Sequence, residues 1–191
     1  MENSRTEKAR AFTEELFRGA PGSHDFQHLL RVWRTAMLLA ETEPGCDREI
    51  VSLAALLHDA DDPKLFSTEK NANARRCLAE LGTSPEETEK ICEVINGVSF
   101  SKNRGRRPDT LEGAIVQDAD RLDAIGAVGV ARTFAYGGEH GRPLEASVAH
   151  FHEKLLLLAE EMNTAAGREM ALERHAFLEA FLREYEKELS C

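Results

Sequence analysis

The segment LAALLHDADDPKLF, residues 53 to 66, ends an apolar helical run in one histidine and three carboxylates. These side chains belong to His58, Asp59, Asp61 and Asp62, and a proline follows them directly. Acidic groups oppose the negative end of a helix dipole, so they are unfavourable there unless a cation compensates them. The segment therefore predicts a site for positive charge, with an acidic helix end in water as the plain alternative.

Two other segments carry side chains of the same types. On a helix, residues three or four positions apart share one face, and this spacing joins His24 with His28. The segment QDADRLD, residues 117 to 123, offers three more carboxylates, which are Asp118, Asp120 and Asp123. Three separated helices thus each bring metal-capable ligands, and an all-α fold can aim them at one point. Imidazole and carboxylate without thiolate spacing suit an open octahedral site with bound water better than a closed structural zinc site.

The order of these segments resembles the HD-domain phosphohydrolase superfamily. A histidine in HLLRV comes first, then the adjacent pair His58 and Asp59 at the end of an apolar helix, then an aspartate in DADRLD. The separations also fit, with 30 residues from His28 to His58 and 62 from His58 to Asp120. The resemblance covers residues 20 to 136. The segments SHDFQHLLRVW, ALLHDADD and VQDADRLDAIGAVGVARTF are most similar to a small bacterial, uncharacterised HD hydrolase branch.

The resemblance implies a ligand set, which is His28, His58, Asp59 and Asp120. Asp62 takes the place where several relatives keep a catalytic glutamate, and it is one methylene shorter. Asp118 is the alternative to Asp120 as the fourth ligand. Asp120 is favoured because it stands in the ADRL context. The cofactor expected is one divalent ion, manganese or magnesium first, with iron, nickel, cobalt or zinc as alternatives.

The other polar residues of these segments have plainer interpretations. His24 is expected to be a turn residue or a hydrogen-bonding partner of the site, and Asp61 to be solvated. Asp123 is expected to pair with a neighbouring basic side chain. Arg121 is either a substrate contact or the partner of Asp118, and the sequence leaves both open.

Such a site is expected to lower the pKa of water and to polarise a phosphoryl oxygen, with Asp59 as ligand and Asp62 moving the water's proton. The resemblance implies a nucleotide substrate, and for this branch a nucleoside triphosphate cleaved to monophosphate and pyrophosphate. Monophosphate hydrolysis by a nucleotidase is the alternative. Four aromatic side chains are candidates for stacking on a base, although core packing is their default: Trp33, Phe100, Phe134 and Tyr136.

The segment FSKNRGRRP, residues 100 to 108, is basic in a chain of net charge -10. With Arg121, its side chains are the predicted phosphate contacts: Lys102, Arg104, Arg106 and Arg107. A solvated loop is the alternative. The strongly acidic balance argues against nucleic-acid polymers and anionic membranes as partners. A small nucleotide, implied by the resemblance, is the partner expected, and the sequence leaves open whether the chain is a monomer or a homodimer.

Helical periodicity dominates the chain, so the fold predicted is an all-α bundle. We expect helices at 4–19, 24–42, 48–60, from the SPEE capping box at 84–87, from a second box DTLE at 109–112 to about 135, and two after a GGEHGRP loop at 137–143. The predicted organisation is one domain over 1–191, with an HD core at 20–136 and C-terminal helices packed on it at 143–190. The charged N-terminal segment and four unpaired cysteines favour a cytoplasmic protein.

Two other functions compete with this interpretation. The run GAIVQDADRL also resembles the start of a haloacid-dehalogenase-type phosphatase, with Asp118 as nucleophile and Asp120 as acid. That chemistry requires the run to be a parallel β-strand. The second competitor is a regulatory module that binds metal or nucleotide without turnover, which the shorter Asp62 side chain keeps open.

Overall fold

The computed structural model describes residues 4–19, 25–99, 103 and 105–190. Within this part of the chain the regular structure is helical and no residue forms a β-strand. The elements are α1 (Ser4–Leu16), α2 (Phe26–Thr42), α3 (Arg48–Leu57), α4 (Ala72–Glu80), α5 (Pro85–Val98), α6 (Leu111–Asp123), α7 (Gly126–Glu139), α8 (Leu144–Glu153), a 3₁₀ helix (Leu155–Glu161) and α9 (Ala165–Leu189). The all-α prediction is confirmed. The dehalogenase-type alternative is wrong, because its required strand is helix α6.

Helix α3 is the centre of the core. Every residue from Val51 to Leu57 is buried, because α1, α2, α5 and α6 pack around it. A helix that is apolar on all sides is typical of such a position. The helix starts where Asp47 accepts hydrogen bonds from Glu49 N and Ile50 N. It ends at Leu57, three residues earlier than predicted, so His58 and Asp59 lie in the turn that follows.

The capping predictions are confirmed at one site and corrected at another. Ser84 accepts a hydrogen bond from Glu87 N, with Pro85 in the first turn of α5, as the SPEE box predicts. At DTLE the capping residue is Thr110 and not Asp109, because the Thr110 hydroxyl accepts from Gly113 N. The single helix predicted from this box to about 135 is divided into α6 and α7. Gly126 permits the break because its φ is +74°, which a side chain would disfavour.

The C-terminal third differs from the predicted pattern of loop and two helices. Residues 137–139 still belong to α7, so the loop starts at His140. The residues expected to form one amphipathic helix are divided between α8 and the 3₁₀ helix, because Lys154 departs from helical geometry with φ -140° and ψ -56°. Helix α9 packs on α6 and α7. No helix of the described residues is both long enough and apolar enough to cross a membrane.

Two side chains of α6 attach the C-terminal segment to the core. The buried Asp118 carboxylate accepts hydrogen bonds from the backbone N–H groups of Asn163 and Thr164, and from both of their side chains. The buried Arg121 guanidinium donates to the Glu161 carbonyl oxygen and pairs with the Glu161 carboxylate. We call these contacts of Asp118 and Arg121 the α6 clamp. It fixes the end of the 3₁₀ helix and the start of α9.

Asp118→Ala is expected to lower the free energy of unfolding by about 3 kcal/mol, because it leaves two backbone N–H groups near a buried position without their acceptor. Denaturant unfolding measures the change. The matched control is Asp109→Ala, since the Asp109 side chain is exposed. A loss below about 0.5 kcal/mol for Asp118→Ala would show that the clamp is not a stabilising feature.

Candidate metal centre and adjoining cavity

Three helices bring two imidazoles and two carboxylates to one point. His28 lies in the first turn of α2, which begins where the Asp25 carboxylate accepts from His28 N at 2.8 Å. His58 and Asp59 follow the end of α3, and Asp120 lies near the end of α6. Because α2, α3 and α6 pack directly on one another, residues far apart in sequence meet here. The His28 side chain is 3% exposed and that of His58 is 2% exposed.

The facing atoms are spaced for a shared ion rather than for direct hydrogen bonds. His28 Nε2 lies 3.5 Å from Asp59 Oδ2 and 3.4 Å from Asp120 Oδ1. His58 Nε2 lies 3.6 Å from Asp59 Oδ1 and 3.7 Å from Asp120 Oδ1. Among the described residues this buried His58 nitrogen has no hydrogen-bond partner, which is costly unless something else binds it. One ligand atom from each of His28, His58 and Asp120 lies within 4.8 Å of the others, so the residues present fit a divalent cation.

Both imidazoles are held so that Nε2 faces the other ligands. His28 Nδ1 lies 2.8 Å from Asp123 Oδ2, and His58 Nδ1 lies 2.9 Å from the Ala55 carbonyl oxygen. Donation from Nδ1 to an oxygen fixes the tautomer with a free lone pair on Nε2. Hydrogen bonds of this kind, made by the ring nitrogen that does not face the metal position, orient histidine ligands in metal sites.

Asp123 also binds two arginines. Its carboxylate accepts from Arg31 Nε at 2.7 Å, Arg31 Nη2 at 3.1 Å and Arg132 Nη1 at 2.5 Å. Burial alone would raise the pKa of Asp123, but its hydrogen bonds with His28 and Arg31 hold that pKa well below the usual range. Asp123 is therefore ionised. The expectation that it pairs with a basic neighbour omitted its contact with His28.

The site favours positive charge at His28. Burial lowers the pKa of this imidazole, but its interactions with the Asp123 and Asp59 carboxylates raise the pKa by more, to about 9. A proton on Nε2 and a divalent cation are alternative partners for the same carboxylates. A divalent cation bound at His28 Nε2 would displace this proton.

The remaining carboxylates of the two acidic segments have separate contacts. Asp118 is used in the α6 clamp, so the structure brings Asp120 and not Asp118 to the imidazoles. Asp61 was expected to be solvated, but its carboxylate accepts from Asn73 N and Ala74 N and caps α4. Asp62 lines the cavity described below and accepts from Lys64 N at 2.8 Å. His24 lies outside the described residues.

A cavity of about 430 Å³ adjoins His28, His58, Asp59 and Asp120, which we call the ligand cluster. Its volume lies within the usual range for sites that bind small molecules. His28, His58, Asp59, Asp62 and Asp120 are part of its wall. Among the described residues, four cationic side chains also line it: Lys64, Arg132, Arg142 and Lys154.

The predicted phosphate contacts are not among these four cations. Lys102 and Arg104 lie outside the described residues, while Arg106 and Arg107 are exposed and do not line the cavity. Arg121 is buried in the α6 clamp, so its guanidinium is used inside the fold and does not reach the cavity. The sequence did not reveal the lining cations, because only Arg132 lies within a helix and the other three lie in turns whose orientation is a tertiary property.

The described aromatic candidates for base stacking lie in different surroundings. Tyr136 lines the cavity. Phe134 packs in the core against Phe151 and Phe181, and Trp33 donates a hydrogen bond from Nε1 to Ser52 Oγ. Phe100 lies outside the described residues. Core packing, the default interpretation, thus holds for Phe134.

Two buried imidazoles and two partly buried carboxylates between α2, α3 and α6 are typical of the sites of metal-dependent hydrolases. Comparison with known proteins agrees, since the HD domain family model matches residues 25–125. The chain belongs to the HD domain family.

Relatives resemble the chain over nearly its whole length. It is 38% identical to the uncharacterised protein YpgQ of Bacillus subtilis, over 98% of this chain and 95% of that protein. The crystal structure of YpgQ in complex with ADP superposes with a TM-score of 0.83 at 36% identity, covering 96% of this chain and 94% of that one. An HD-superfamily hydrolase from Bacillus thuringiensis superposes with a TM-score of 0.80 at 38% identity, covering 98% and 97% of the two chains.

Asp123→Asn is expected to weaken Mn²⁺ binding by roughly 10- to 100-fold, because partners of metal-binding histidines contribute that much to affinity. Calorimetric titration of metal-free protein measures the change. Asp109→Asn, which removes an exposed carboxylate away from the cavity, is the matched control. Wild-type Mn²⁺ affinity in folded Asp123→Asn protein would exclude the orienting role of Asp123.

Proposed function

We propose that this chain is a metal-dependent phosphohydrolase that cleaves nucleoside triphosphates to monophosphates and pyrophosphate. The observation that carries the proposal is the cluster of two oriented imidazoles and two carboxylates at the wall of a cavity that also contains cationic side chains. The ADP complex of the similar protein YpgQ supports a nucleotide as the substrate. The HD-superfamily hydrolases among the relatives support hydrolysis as the reaction.

In this proposal, His28, His58, Asp59 and Asp120 hold one divalent ion, with manganese or magnesium favoured. When bound, such an ion supplies Lewis acidity toward a phosphoryl oxygen and makes water more acidic. The two imidazoles are already oriented by Asp123 and Ala55 O, so little rearrangement is needed to bind it.

Asp62 is the proposed general base. Its carboxylate lines the same cavity wall as His58 and Asp59, and the backbone N–H of Lys64 holds one of its oxygens. A water molecule adds to the α-phosphorus while Asp62 accepts its proton. The bond from this phosphorus to the bridging oxygen breaks, and pyrophosphate leaves with the electron pair. Water, triphosphate and two products thus balance without any other reactant.

The cavity cations supply the charge balance that a triphosphate requires. The chain carries a net charge of -10, and the ligand cluster is itself acidic. A polyanion is therefore bound only where local cations oppose this field. Lys64 and Arg132 line the cavity together with Asp62 and the ligands, so they are positioned to contact the reacting phosphate.

The product of the reaction tests the proposal directly. Metal-stripped protein resupplied with Mn²⁺ is expected to convert nucleoside triphosphates to monophosphates and pyrophosphate, measured by chromatography. Asp59→Ala should lose at least roughly 10³-fold in rate and purify with less metal, because several kcal/mol of charge stabilisation disappear with the ion. The exposed Asp109→Ala variant is the matched control.

Other outcomes of this assay identify the competing functions. Orthophosphate released from monophosphates alone would make the protein a nucleotidase. Tight nucleotide binding without any product would favour the regulatory module. Undiminished metal content in Asp59→Ala would contradict the ligand assignment itself.

Asp62→Asn is expected to reduce kcat by roughly 10²- to 10⁴-fold, the usual contribution of a general base. Metal content should stay at the wild-type level, because Asp62 is not one of the proposed ligands. Asp62→Glu retains a carboxylate and should recover part of the rate. Steady-state kinetics and metal analysis on the same preparations separate these effects, and an unchanged kcat in Asp62→Asn would remove Asp62 from the mechanism.

A further inference from the structure

A row of polar side chains leads from the ligand cluster along one wall of the cavity. Its members are Lys154, His150 and Arg142, all partly buried and all lining the cavity. None belongs to the predicted phosphate contacts, and all lie beyond residues 25–125, the part matched by the family model. They come from α8 and from the turns on either side of it.

The order of the row follows from its positions along α8 (Leu144–Glu153), because Arg142 precedes this helix, His150 lies in its last turn and Lys154 follows its end. Burial is the largest influence on Lys154 and lowers its pKa, while the Asp120 carboxylate raises it. Lys154, at the C-terminal end of α8, is thus the member of the row that interacts with the ligand cluster. Burial is also the largest influence on His150 and lowers its pKa. The positive charges of Lys154 and then of Arg142 lower this pKa further. His150, one turn before Lys154 on α8, thus interacts with both cations, and its lowered pKa favours the neutral imidazole at pH 7.

Local contacts hold the row in place. Lys154 N donates to His150 O at 3.1 Å, which keeps these two residues on one face at the end of α8. Arg142 N donates to Gly137 O at 2.7 Å, and the Arg142 guanidinium lies 5.2 Å from the centroid of the Tyr136 ring. At Gly137 an added Cβ would lie 2.5 Å from Ser147 Oγ, so α7 and α8 approach closely at this corner.

The α6 clamp also relates the row to the ligand cluster. Lys154 directly precedes the 3₁₀ helix, and Arg121 holds the other end of that helix through Glu161. Leu155 and Leu158 anchor the same helix in the core. Helix α6 therefore carries the ligand Asp120 and also fixes the segment that presents Lys154.

The wall contributed by α5 has a different chemistry. Its lining residues are uncharged, namely Ile95, Asn96, Val98 and Ser99. Within the described chain no cation of α5 lines the cavity, so this wall suits an uncharged sugar and base. A phosphate chain attached to the same nucleoside must then extend toward the wall formed by the row.

We propose that Lys154, His150 and Arg142 form the subsite for the pyrophosphate part of the substrate, which becomes the leaving group. This inference rests on the proposed function, and it assigns the end of the cavity that binds the β- and γ-phosphates. Lys154 neutralises charge near the bond that breaks, His150 donates one N–H, and Arg142 binds the terminal phosphate with its planar guanidinium.

Binding of inorganic pyrophosphate and orthophosphate to the Mn²⁺-loaded protein tests the subsite without turnover. Lys154→Met and Arg142→Met are each expected to raise the Kd of pyrophosphate by roughly 10-fold, the loss of one charge-assisted contact. Arg142→Met should change orthophosphate binding by less than about 3-fold, because a single phosphate at the ligand cluster does not reach Arg142. Lys154→Arg should retain most of the pyrophosphate affinity.

The matched controls are Lys90→Met and Arg18→Met, since both side chains are mostly exposed and pair with acidic neighbours on their own helix or turn. Circular dichroism establishes that each variant is folded. Wild-type pyrophosphate affinity in both Lys154→Met and Arg142→Met would overturn the subsite.

The same variants separate this inference from the proposed function. If the protein cleaves triphosphates but its pyrophosphate affinity does not depend on Lys154 or Arg142, the subsite is wrong and the function stands. If no nucleotide is cleaved but pyrophosphate affinity depends on both residues, the subsite stands and the function is wrong.

Discussion

The hydrogen bond between His28 Nδ1 and the Asp123 carboxylate is the contact on which the site depends. It turns Nε2 of a buried histidine toward His58, Asp59 and Asp120. The same carboxylate binds Arg31 and Arg132, so α2, α6 and α7 are joined at one buried charge. A buried carboxylate is tolerable only when it is fully paired, and here three donors from two other helices pair it. The contacts of Asp123 therefore orient the imidazole and also hold the three helices together.

Helix α6 distributes three carboxylates to three different tasks. In an α-helix successive residues are separated by about 100°, so Asp118 and Asp120 point to nearly opposite sides while Asp120 and Asp123 share one side. Asp118 meets the start of α9, Asp120 meets the imidazoles, and Asp123 meets Nδ1 of His28. The acidic segment is therefore not a diffuse cluster, since each carboxylate has its own partner.

This distribution explains how far the sequence could predict the site. The helical pattern and the histidine and aspartate at the end of an apolar helix are local features, so the sequence located α2, α3 and α6 and the residues that meet between them. Which face of α6 meets α2 and which meets α9 is a tertiary property, so the contacts of Asp118 with α9 and of Asp123 with His28 were not visible. The cationic side chains of the cavity wall were missed for the same reason. The position of Lys154 depends on a break in helical geometry, and no turn-forming residue in the sequence indicates that break.

The two parts of the chain contribute different kinds of side chain to the cavity. Residues 25–125, which match the HD domain family, hold the candidate metal ligands and Asp62. Residues after 125 hold three of the four cationic side chains that line the cavity within the described chain, and the α6 clamp places that segment relative to Asp120. A change after residue 125 can therefore alter which anion the cavity accepts while the ligand cluster stays intact. The segment around α8 thus lines the cavity, and α6 holds the segment that follows it at both Asp118 and Arg121.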